Sequence, residues 1–506
     1  MSAFVTDQFR ILNAGSFVES ISNNSYYAFL GLSNPTAAGF GRTSDWDTST
    51  TNNPVDNFQY LSHYRDTSLF GRKITSENAR RVIRKIEWVS GNQYDMYRHD
   101  YGQGNQAPVS KALKLYDANY YIITSDFKVY ICIENGTSGE STTVTGSTLE
   151  PTHTDVEPQS YADGYKWKYL FKVSPSDVIK FDSTEFIIVP NDWATTTDSD
   201  ISIIRGGGDP ESNNNQIKTV YIENGGSGYT DFSVNAQTYD IVGDGTGGQV
   251  TISTDSDGKI TAVTVTQGGK DYTYGTVDLS TSGGSGAYLI PIIPPSKGHG
   301  YDIYKELGTD KVLLYARFDD STKDFPVDTK FAQVGVIKNP EKYSSSDTFA
   351  ENTFSSLFAV LLDDSREVTI GEEITQTQSD GSIARGYVAS FDQETKVLKY
   401  YQDRSLSFGN GLDQSGLSSS TNIIAFNNVN DITFTQSSGS GSINSGFSGI
   451  VTTIDSKQIN LGVTFTDGLA NPEINKKTGD IIYIDNRPEV QRDSRQKEDV
   501  KIILEF

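Results

Sequence analysis

The stretch DGYKWKYLFKVSPSDVIKF, residues 163–181, decides the fold class of this 506-residue chain. Large side chains alternate with polar ones, which is the period of a β-strand and places the aromatic rings on one face. These rings belong to Tyr165, Trp167, Tyr169 and Phe171. A Ser-Pro pair at 174–175 then predicts a turn, and the run EFIIVP at 185–190 predicts a second strand. The pattern favours a mainly β core.

Further alternating segments extend this interpretation along the chain. Residues 112–136 alternate polar and apolar side chains and end at Asn135-Gly136, a pair typical of hairpin turns. The runs KVLLYARF at 311–318 and FAQVGVIKNP at 331–340 also have strand character. With 28 Tyr, 25 Phe and 46 Gly, the composition is that of a turn-rich β protein. We expect a mainly β fold with a discontinuous β-sandwich core and short helices in its loops.

One segment predicts a helix that carries a cationic cluster. Apolar residues recur at i, i+3, i+4 and i+7 in Ala79, Val82, Ile83 and Ile86. The residues off this stripe are Arg80, Arg81, Arg84 and Lys85. These four form the candidate partner-docking patch, suited to an acidic neighbour. The alternatives are an ordinary solvated helix face, which is the commoner case, and a minor nucleic-acid contact.

Charge and cysteine content exclude several classes of protein. The formal net charge of −23 argues against a nucleic-acid binder and favours basic partners. The single cysteine, Cys132, cannot form an internal disulfide and is expected to lie inert in a strand. No apolar run approaches the roughly 18 residues of a membrane span, and the start of the chain lacks the pattern of a signal peptide. We expect a soluble protein made in the cytoplasm, with no membrane partner.

An internal repeat divides the chain. The stretch VYIENGGSGYT at Val220–Thr230 is echoed 43 residues later by VTVTQGGKDYT at Val263–Thr273. Two copies are few for a free-standing solenoid, so a compact β module is expected. A second polar, Ser/Gly-rich region follows further on. The predicted division is a discontinuous core of three pieces with two inserted β modules: core 1–205, 297–345 and 472–506; Gly-rich repeat 206–296; second insertion 346–471.

Catalytic and metal-binding patterns are sparse. The four histidines are His63, His99, His153 and His299, and no two stand at metal-ligand spacing. His153 lies near Asp155 and Glu157, which could hold a metal, although a solvated loop is the favoured interpretation. The fragments GDG at 243–245 and DSDG at 255–258 lack the closing glutamate of a calcium loop, so hairpin turns are favoured. We predict no enzyme activity, no cofactor and no metal site.

Several segments, in order, resemble the gene product eight family of T-even-type phage baseplate wedge subunits. They are TDQFR at 6–10, VIRKIEWVSG at 82–91, DGYKWKYLFKVSPSDV at 163–178 with EFIIVP, FAQVGVIKNP at 331–340, and GDIIYIDNRPEV at 479–490 with IILEF. The match is distributed over residues 1–200, 300–345 and 472–506. The residues that carry it as family-motif core positions are Trp88, Gly164, Tyr165, Trp167, Tyr169, Asn339, Pro340, Asn486, Arg487 and Pro488.

This resemblance implies a non-catalytic, homodimeric subunit in the wedges around the hub of a contractile tail. It would be assembled in the host cytoplasm and end in the virion, at the tail baseplate. Its partners would be other wedge proteins. The two insertions have no counterpart in the shorter family pattern, and tail fibres are a possible partner for them.

Two other classes of function remain open on the sequence. A receptor-binding or carbohydrate-binding tail protein is suggested by the Gly-rich β modules and by aromatic residues that could be exposed. A depolymerase acting through paired carboxylates would need a long β-solenoid, for which two repeat copies are too few.

Overall fold

A computed structural model describes residues 4–32, 53–139, 141, 143–206, 215–230, 237–319, 329–403, 423–437, 439–492 and 496–506. Strands account for 43% and helices for 12%, so the predicted mainly β class is confirmed. Among the described residues, no helix combines the length and the apolar character needed to span a bilayer.

The chain divides into two compact units. The first comprises Met1–Val18, Arg80–Leu313 and Ile503–Phe506; the second comprises Glu19–Ala79 and Leu314–Ile502. The predicted repeat insertion lies within the first unit and the predicted second insertion within the second. Residues of the predicted core occur in both units, and the exact insertion boundaries stay a prediction. The Gly-rich boundary stretch at 207–214 lies outside the described residues.

The described residues form five α-helices, two short 3-10 helices and 28 strands. The helices are α1 (Asp7–Asn23), α2 (Phe58–Thr67), α3 (Pro175–Phe181), α4 (Ser199–Gly206) and α5 (Ile303–Leu307). The first strands are β1 (Tyr26–Gly31), β2 (Ser68–Ile74), β3 (Ala79–Arg84), β4 (Tyr121–Ile123), β5 (Lys128–Glu134), β6 (Gln159–Ser160), β7 (Lys166–Lys172), β8 (Phe186–Val189), β9 (Val220–Ser227), β10 (Thr238–Gly243), β11 (Thr246–Thr254), β12 (Ile260–Lys270), β13 (Gly275–Val277) and β14 (Ser285–Pro291).

The remaining strands are β15 (Lys311–Phe318), β16 (Lys330–Lys338), β17 (Thr353–Ser355), β18 (Phe358–Leu361), β19 (Glu373–Thr377), β20 (Ile383–Asp392), β21 (Val397–Tyr401), β22 (Ile432–Phe434), β23 (Ser440–Gly441), β24 (Gly449–Ile454), β25 (Lys457–Phe465), β26 (Leu469–Ala470), β27 (Asp480–Gln491) and β28 (Glu498–Glu505).

In the first unit, the aromatic strand β7 lies inside a four-stranded antiparallel sheet of order β4-β5-β7-β6. Trp167 of β7 is opposite Cys132 of β5, and both side chains are fully buried. The predicted strand is therefore confirmed, as is the inert position of the cysteine. Burial raises the pKa of the Cys132 thiol well above its usual value, which keeps it protonated.

The predicted helix over residues 79–86 is wrong, because this segment forms strand β3. Val82 is opposite Ile188 of β8 and Ile83 is opposite Ile187, in antiparallel register. Adjacent Val82 and Ile83 are both buried, so both faces of the strand are covered. A strand buried on both faces loses the polar–apolar alternation, and its apolar residues can imitate a helical stripe. The chain's longest helix, α1, was not predicted.

The two copies of the repeat have equivalent backbone features. Gly226 and Gly269, which are 43 positions apart, have φ values of +64° and +61°. Each glycine is followed three positions later by a buried tyrosine, Tyr229 or Tyr272. Both tyrosines belong to one hydrophobic cluster. This cluster packs the sheet β12-β11-β10-β13 and the pair β14-β9 around a core of their own. The segment is a compact β module rather than an open solenoid.

In the second unit, β1 is in a five-stranded antiparallel sheet of order β17-β2-β1-β16-β27. A separate seven-stranded sheet has the order β23-β22-β19-β20-β21-β18-β26. The seven-stranded sheet has its own buried cluster, which includes Val360, Ile374 and Leu398. The five-stranded sheet packs its aromatic residues Tyr27, Phe29 and Phe354 against Ile337 and Ile474.

Close packing in the five-stranded sheet predicts a sensitive glycine. A Cβ added at Gly71 would lie 2.1 Å from the ring of Phe354, which is 1% exposed. Gly71→Ala should therefore destabilise the protein by about 1–3 kcal/mol, through overpacking. The measurement is the urea midpoint of unfolding. Gly104→Ala is the matched control, because no atom lies within 4 Å of the added Cβ. Equal midpoints for both variants would contradict the packing around Gly71.

Candidate functional site

The four predicted cationic residues lie on β3 and just after it, and the structure engages each of them within the chain. The Arg80 Nε donates to the Asp177 carboxylate at 3.0 Å. The Arg81 guanidinium stacks on the Tyr304 ring, 3.8 Å from its centroid. Burial lowers the pKa of Arg81, although nearby Tyr304 opposes this shift. These two arginines fasten β3 to neighbouring segments.

Arg84 and Lys85 are also bound. The Arg84 guanidinium donates to the carbonyls of Asp117 and Ala118, both at 3.1 Å. Lys85 Nζ lies 3.1 Å from the Glu87 carboxylate and donates to the Ser183 carbonyl at 3.2 Å. Because the segment is a strand, the four side chains do not form one helical face. Their use as a partner-docking patch stays a prediction.

Arg84 also lines a cleft, which we take as the candidate functional site. Its volume is about 550 Å³, within the usual range for ligand sites. All of its lining belongs to the first unit. The lining residues are Asp7, Arg10, Ile11, Ile83, Arg84, Lys114, Tyr116, Asp117, Tyr121, Glu185, Phe186, Leu307, Gly308, Asp310, Lys311 and Glu505.

Ion pairs hold part of the rim of the cleft. Lys311 Nζ lies 2.9 Å from the Asp310 carboxylate and 3.2 Å from that of Glu505. Burial by itself would lower the pKa of Lys311, but these two carboxylates outweigh it and raise the pKa. Lys114 lies at 4.0 Å from Asp7. Both lysines are thus partly neutralised by neighbouring carboxylates.

The two tyrosines of the cleft are fixed and neutral. The Tyr116 hydroxyl donates to the Lys305 carbonyl at 2.6 Å, and the Tyr121 hydroxyl to the Arg84 carbonyl at 2.9 Å. Burial raises the pKa of each to about 12, so neither ionises near neutral pH. The described residues of the lining include no serine, threonine, cysteine or histidine. The arrangement suits binding through charge and apolar contact.

Of the motif residues in the first unit, Tyr165, Trp167 and Tyr169 are buried, whereas Trp88 is half-buried and Gly164 is exposed. The Tyr165 and Trp167 rings stack with centroids 5.5 Å apart and an interplanar angle of 7°. The Tyr165 hydroxyl donates to the Thr145 carbonyl at 2.8 Å. Trp88 Nε1 donates to the Ser147 hydroxyl at 3.0 Å. Tyr169 packs on Tyr130, and Gly164 has a φ of +89°, which a turn glycine adopts without strain.

The motif residues of the second unit join distant strands. Asn339 has a φ of +50°, a conformation that asparagine tolerates better than most residues. Its side chain donates to the Asn24 side chain and accepts from the Ser25 backbone, both at 2.8 Å. Buried Pro340 follows it. These contacts close the end of the β1–β16 ladder.

The other motif residues of this unit lie on β27, at the edge of the same sheet. The Gln333 side chain donates to Asn486 at 2.8 Å in a buried cross-strand pair. The register then shifts before Val490, and Pro488 lies within this irregular stretch. Proline is tolerated there because an edge strand needs no further ladder donor. Arg487 pairs with Asp485 at 2.5 Å on the exposed side.

The His153 region is a packed loop anchored by hydrogen bonds. One ring nitrogen of His153 lies 3.2 Å from the Trp167 carbonyl, and the other is 3.9 Å from Asp155. The Glu157 carboxylate accepts hydrogen bonds from Lys218 Nζ at 2.7 Å and from Asn215 Nδ2 at 2.8 Å. Across the ranges that the structure describes, no three His, Cys, Asp or Glu side chains are grouped to hold a metal ion.

The calcium-like fragments are hairpin turns, as the favoured interpretation predicts. Asp244 accepts from the Thr273 backbone at 2.9 Å and from its hydroxyl, which lowers the pKa of Asp244 to about 2. Asp255, between β11 and β12, accepts from the backbone of Asp257 and Lys259. The Asp255 carboxylate closes its own turn, whereas that of Asp244 joins the β10–β11 turn to residues 273–274 after β12.

Two buried His–carboxylate pairs were missed by the sequence analysis. His63 lies 2.7 Å from the Asp403 carboxylate, and both are buried. His299 contacts Glu306, whose second oxygen accepts from the Gly300 backbone at 2.7 Å. The first pair is separated by 340 positions, so no local pattern could reveal it. None of these four residues lines the cleft, and each pair joins two segments of its own unit.

Charged contacts also anchor the repeat module within the first unit. Lys218, just before β9, pairs with Glu157, and Thr219 donates to the Glu134 carboxylate at 2.8 Å. Lys166 lies 3.0 Å from the same Glu134. Burial lowers the pKa of Lys218, although its pairing with Glu157 opposes this. The module is therefore attached through several polar contacts at its entry.

No known family model matches this chain, and no curated protein matches it significantly.

Burial of His153 predicts a pH-dependent stability. Its side chain is 11% exposed, and burial lowers its pKa below the ordinary value of about 6.5. The unfolded chain then binds the proton more readily, so stability falls as pH decreases through about 6.5, by at most about 1.4 kcal/mol per pH unit for one proton. His153→Gln, which can still donate to Trp167, should flatten this dependence. Unfolding temperatures from pH 5 to 8 measure it.

The alternative metal site makes a different prediction for the same pair of proteins. If His153, Asp155 and Glu157 held a metal, added Zn²⁺ would raise the unfolding temperature of the parent and not of His153→Gln. We expect no such difference. An unchanged pH slope in His153→Gln would contradict the role assigned to the buried imidazole.

Proposed function

We propose that the chain is a non-catalytic structural subunit of a baseplate wedge in a contractile phage tail. In this role it holds neighbouring wedge proteins together and takes part in baseplate assembly and in rearrangement on contraction. The observation that carries the proposal is the order and the placement of the motif segments. They occur in family order, and several of their residues, among them Trp167 and Asn486, are buried and lie in strand pairings.

The placement of the motif residues favours assembly over catalysis. Tyr165 and Trp167 are fully buried, and Asn339 joins segments more than 300 positions apart. Such residues maintain a rigid framework, which is what a subunit that holds others in position requires. The described cleft presents charges and apolar surface, which suit a protein contact.

The proposal includes partners and location. The subunit would be a homodimer bound to other wedge proteins, assembled in the host cytoplasm and retained in the virion at the tail baseplate. Both inserted regions would offer additional surface, with tail fibres as a proposed contact. Loops and insertions are the usual carriers of such family-specific contacts.

The test is cryo-electron microscopy of intact tails from the phage that encodes the chain. We expect pairs of this subunit in the ring around the hub, with the motif-bearing segments in contact with neighbouring proteins. Density for the chain at a fibre tip would favour receptor binding instead. Absence of the chain from purified particles would exclude a structural role in the virion.

Carbohydrate binding is the second candidate, and one observation favours it. On the repeat module, Tyr274 and Tyr288 are 64% and 57% exposed. Exposed aromatic side chains can offer apolar faces to a ligand. If this function holds, the purified chain binds host surface glycans, and Tyr274→Ala with Tyr288→Ala abolishes binding while the unfolding temperature is unchanged. Tyr343→Ala, another exposed tyrosine at 42%, is the control.

A further inference from the structure

The cleft of the first unit has two structurally distinct walls. One is the start of α1, where Asp7, Arg10 and Ile11 have the i, i+3 and i+4 spacing of one helical face. Another part of the lining comes from the pairing of β3 with β8, in which Arg84 is opposite Phe186. Two regular elements therefore frame the opening, and such elements position a site better than loops do.

Some charged side chains of the lining are paired within the protein and others are not. Five carboxylates and four cations line the cleft. Lys311 pairs with Asp310 and Glu505, and Lys114 pairs with Asp7. Arg84 is bound by backbone carbonyls. Among the described residues, the exposed carboxylates of Asp117 and Glu185 have no ion-pair partner. The cleft thus offers two accessible negative groups, in a chain of net charge −23.

Arg10 and Arg84 are the cations of the lining that have no ion pair with a described residue, and Arg84 is held instead by backbone carbonyls. Arg10 is therefore the cation that we assign to a ligand. Its guanidinium carries five N–H donors and can bind the carbonyl oxygens of an extended backbone. A peptide that enters the cleft would therefore find a donor for its main chain on α1 and acceptors for a basic side chain on the other walls.

An exposed apolar strip, Phe4 and Val5, lies just before α1 and beside this wall of the cleft; the two side chains are 73% and 51% exposed. Phe9 and Leu12 of α1 are also exposed, but they lie on the face of the helix opposite Arg10. Lys114, from the cleft, lies over the Phe4 ring at 5.4 Å. Aromatic and aliphatic side chains next to a polar opening are typical of the centre of a protein interface. The strip extends the contact area beyond the cleft.

We propose that the cleft and the adjoining strip form a docking site for an extended segment of a different protein, in which a basic side chain alternates with apolar ones. The basic group binds Asp117 and Glu185, Arg10 binds the main chain, and the apolar side chains cover Phe4 and Val5. This inference rests on the proposed assembly function and names the chemistry of one partner.

Charge decides between this partner and the alternatives. A second copy of the chain would bring the same net charge of −23, which opposes close approach at an acidic opening. Nucleic acid would meet more carboxylates than cations in the lining. An acidic segment would be repelled by Asp117 and Glu185. A basic, apolar segment is the partner that satisfies both free carboxylates.

The experiment uses the full-length chain and fluorescent octapeptides, one of alternating Leu and Lys and one of alternating Leu and Glu. Fluorescence anisotropy is measured at about 0.15 M salt, where long-range attraction is screened over about 8 Å. The cleft variant is Asp117→Asn with Glu185→Gln. The control is Asp126→Asn with Glu394→Gln, which removes the same charge at exposed positions outside the cleft.

We expect the Leu–Lys peptide to bind the parent and the control with similar affinity, and the cleft variant about tenfold more weakly. Phe4→Ser with Val5→Ser should weaken binding as well, whereas Phe9→Ser with Leu12→Ser, on the other face of α1, should leave it unchanged. Equal effects of cleft and control variants, or equal binding of the Leu–Glu peptide, would overturn the proposal. Self-association that the cleft variant abolishes would assign the cleft to a second copy and would also overturn it.

The two proposals can fail separately. If the Leu–Lys peptide binds as expected but tails lack this chain, the docking site stands and the wedge function fails. If the chain lies in the baseplate ring but the cleft is open in the assembled tail, the wedge function stands and the docking site fails.

Discussion

The antiparallel pairing of β1 with β16 is the contact on which the five-stranded sheet depends. Tyr26 is opposite Lys338 and Gly31 is opposite Gln333, so a strand near the start of the chain pairs with one about 300 positions later. Each of these strands has another neighbour, β2 or β27. Loss of this one pairing would leave two inner strands as open edges, with unpaired backbone groups. Asn339 closes the ladder at its end and keeps the register in place.

This distant pairing is compatible with a long intervening chain. The entropy of loop closure rises only logarithmically with length, by about 0.6 kcal/mol for each doubling. Extending the connection with a module that has its own hydrophobic cluster therefore costs little stability. The same topology slows folding, because the ends of the connection must meet before the sheet gains its hydrogen bonds. A repeat module that folds on local contacts shortens the flexible part of this connection.

Much of the local strand structure could be predicted from the sequence, because alternation and turn residues act over short distances. Strand β7, the strand with Cys132 and the hairpin turn at Asp255 follow from such patterns. The helix predicted at 79–86 was wrong because adjacent Val82 and Ile83 are both buried, which alternation does not describe. Helix α1 has a buried face at helical spacing, formed by Ile11, Ala14 and Ile21. It was missed because exposed apolar residues such as Phe9 and Leu12 lie off this face and obscure the pattern.

The candidate site was less predictable than the fold. Its lining comes from separate segments between Asp7 and Glu505, and only tertiary packing brings them together. Arg84 was identified from the sequence, but its bonds to backbone carbonyls could not be. Residues that meet only through tertiary contacts have no fixed spacing in the sequence, so no local motif can identify them.

The cost of burying an unpaired charge explains both the arginines of β3 and the carboxylates of the cleft. In an acidic protein, an arginine on a buried strand must find partners inside the fold, because a buried unpaired charge is costly. Arg80 and Arg81 satisfy this with a carboxylate and an aromatic ring. Asp117 and Glu185 lie at the surface, where water satisfies them at little cost. Groups that folding does not need to pair are the ones that remain available to a partner, which is why the carboxylates of the cleft, more than the arginines of β3, fit a docking role.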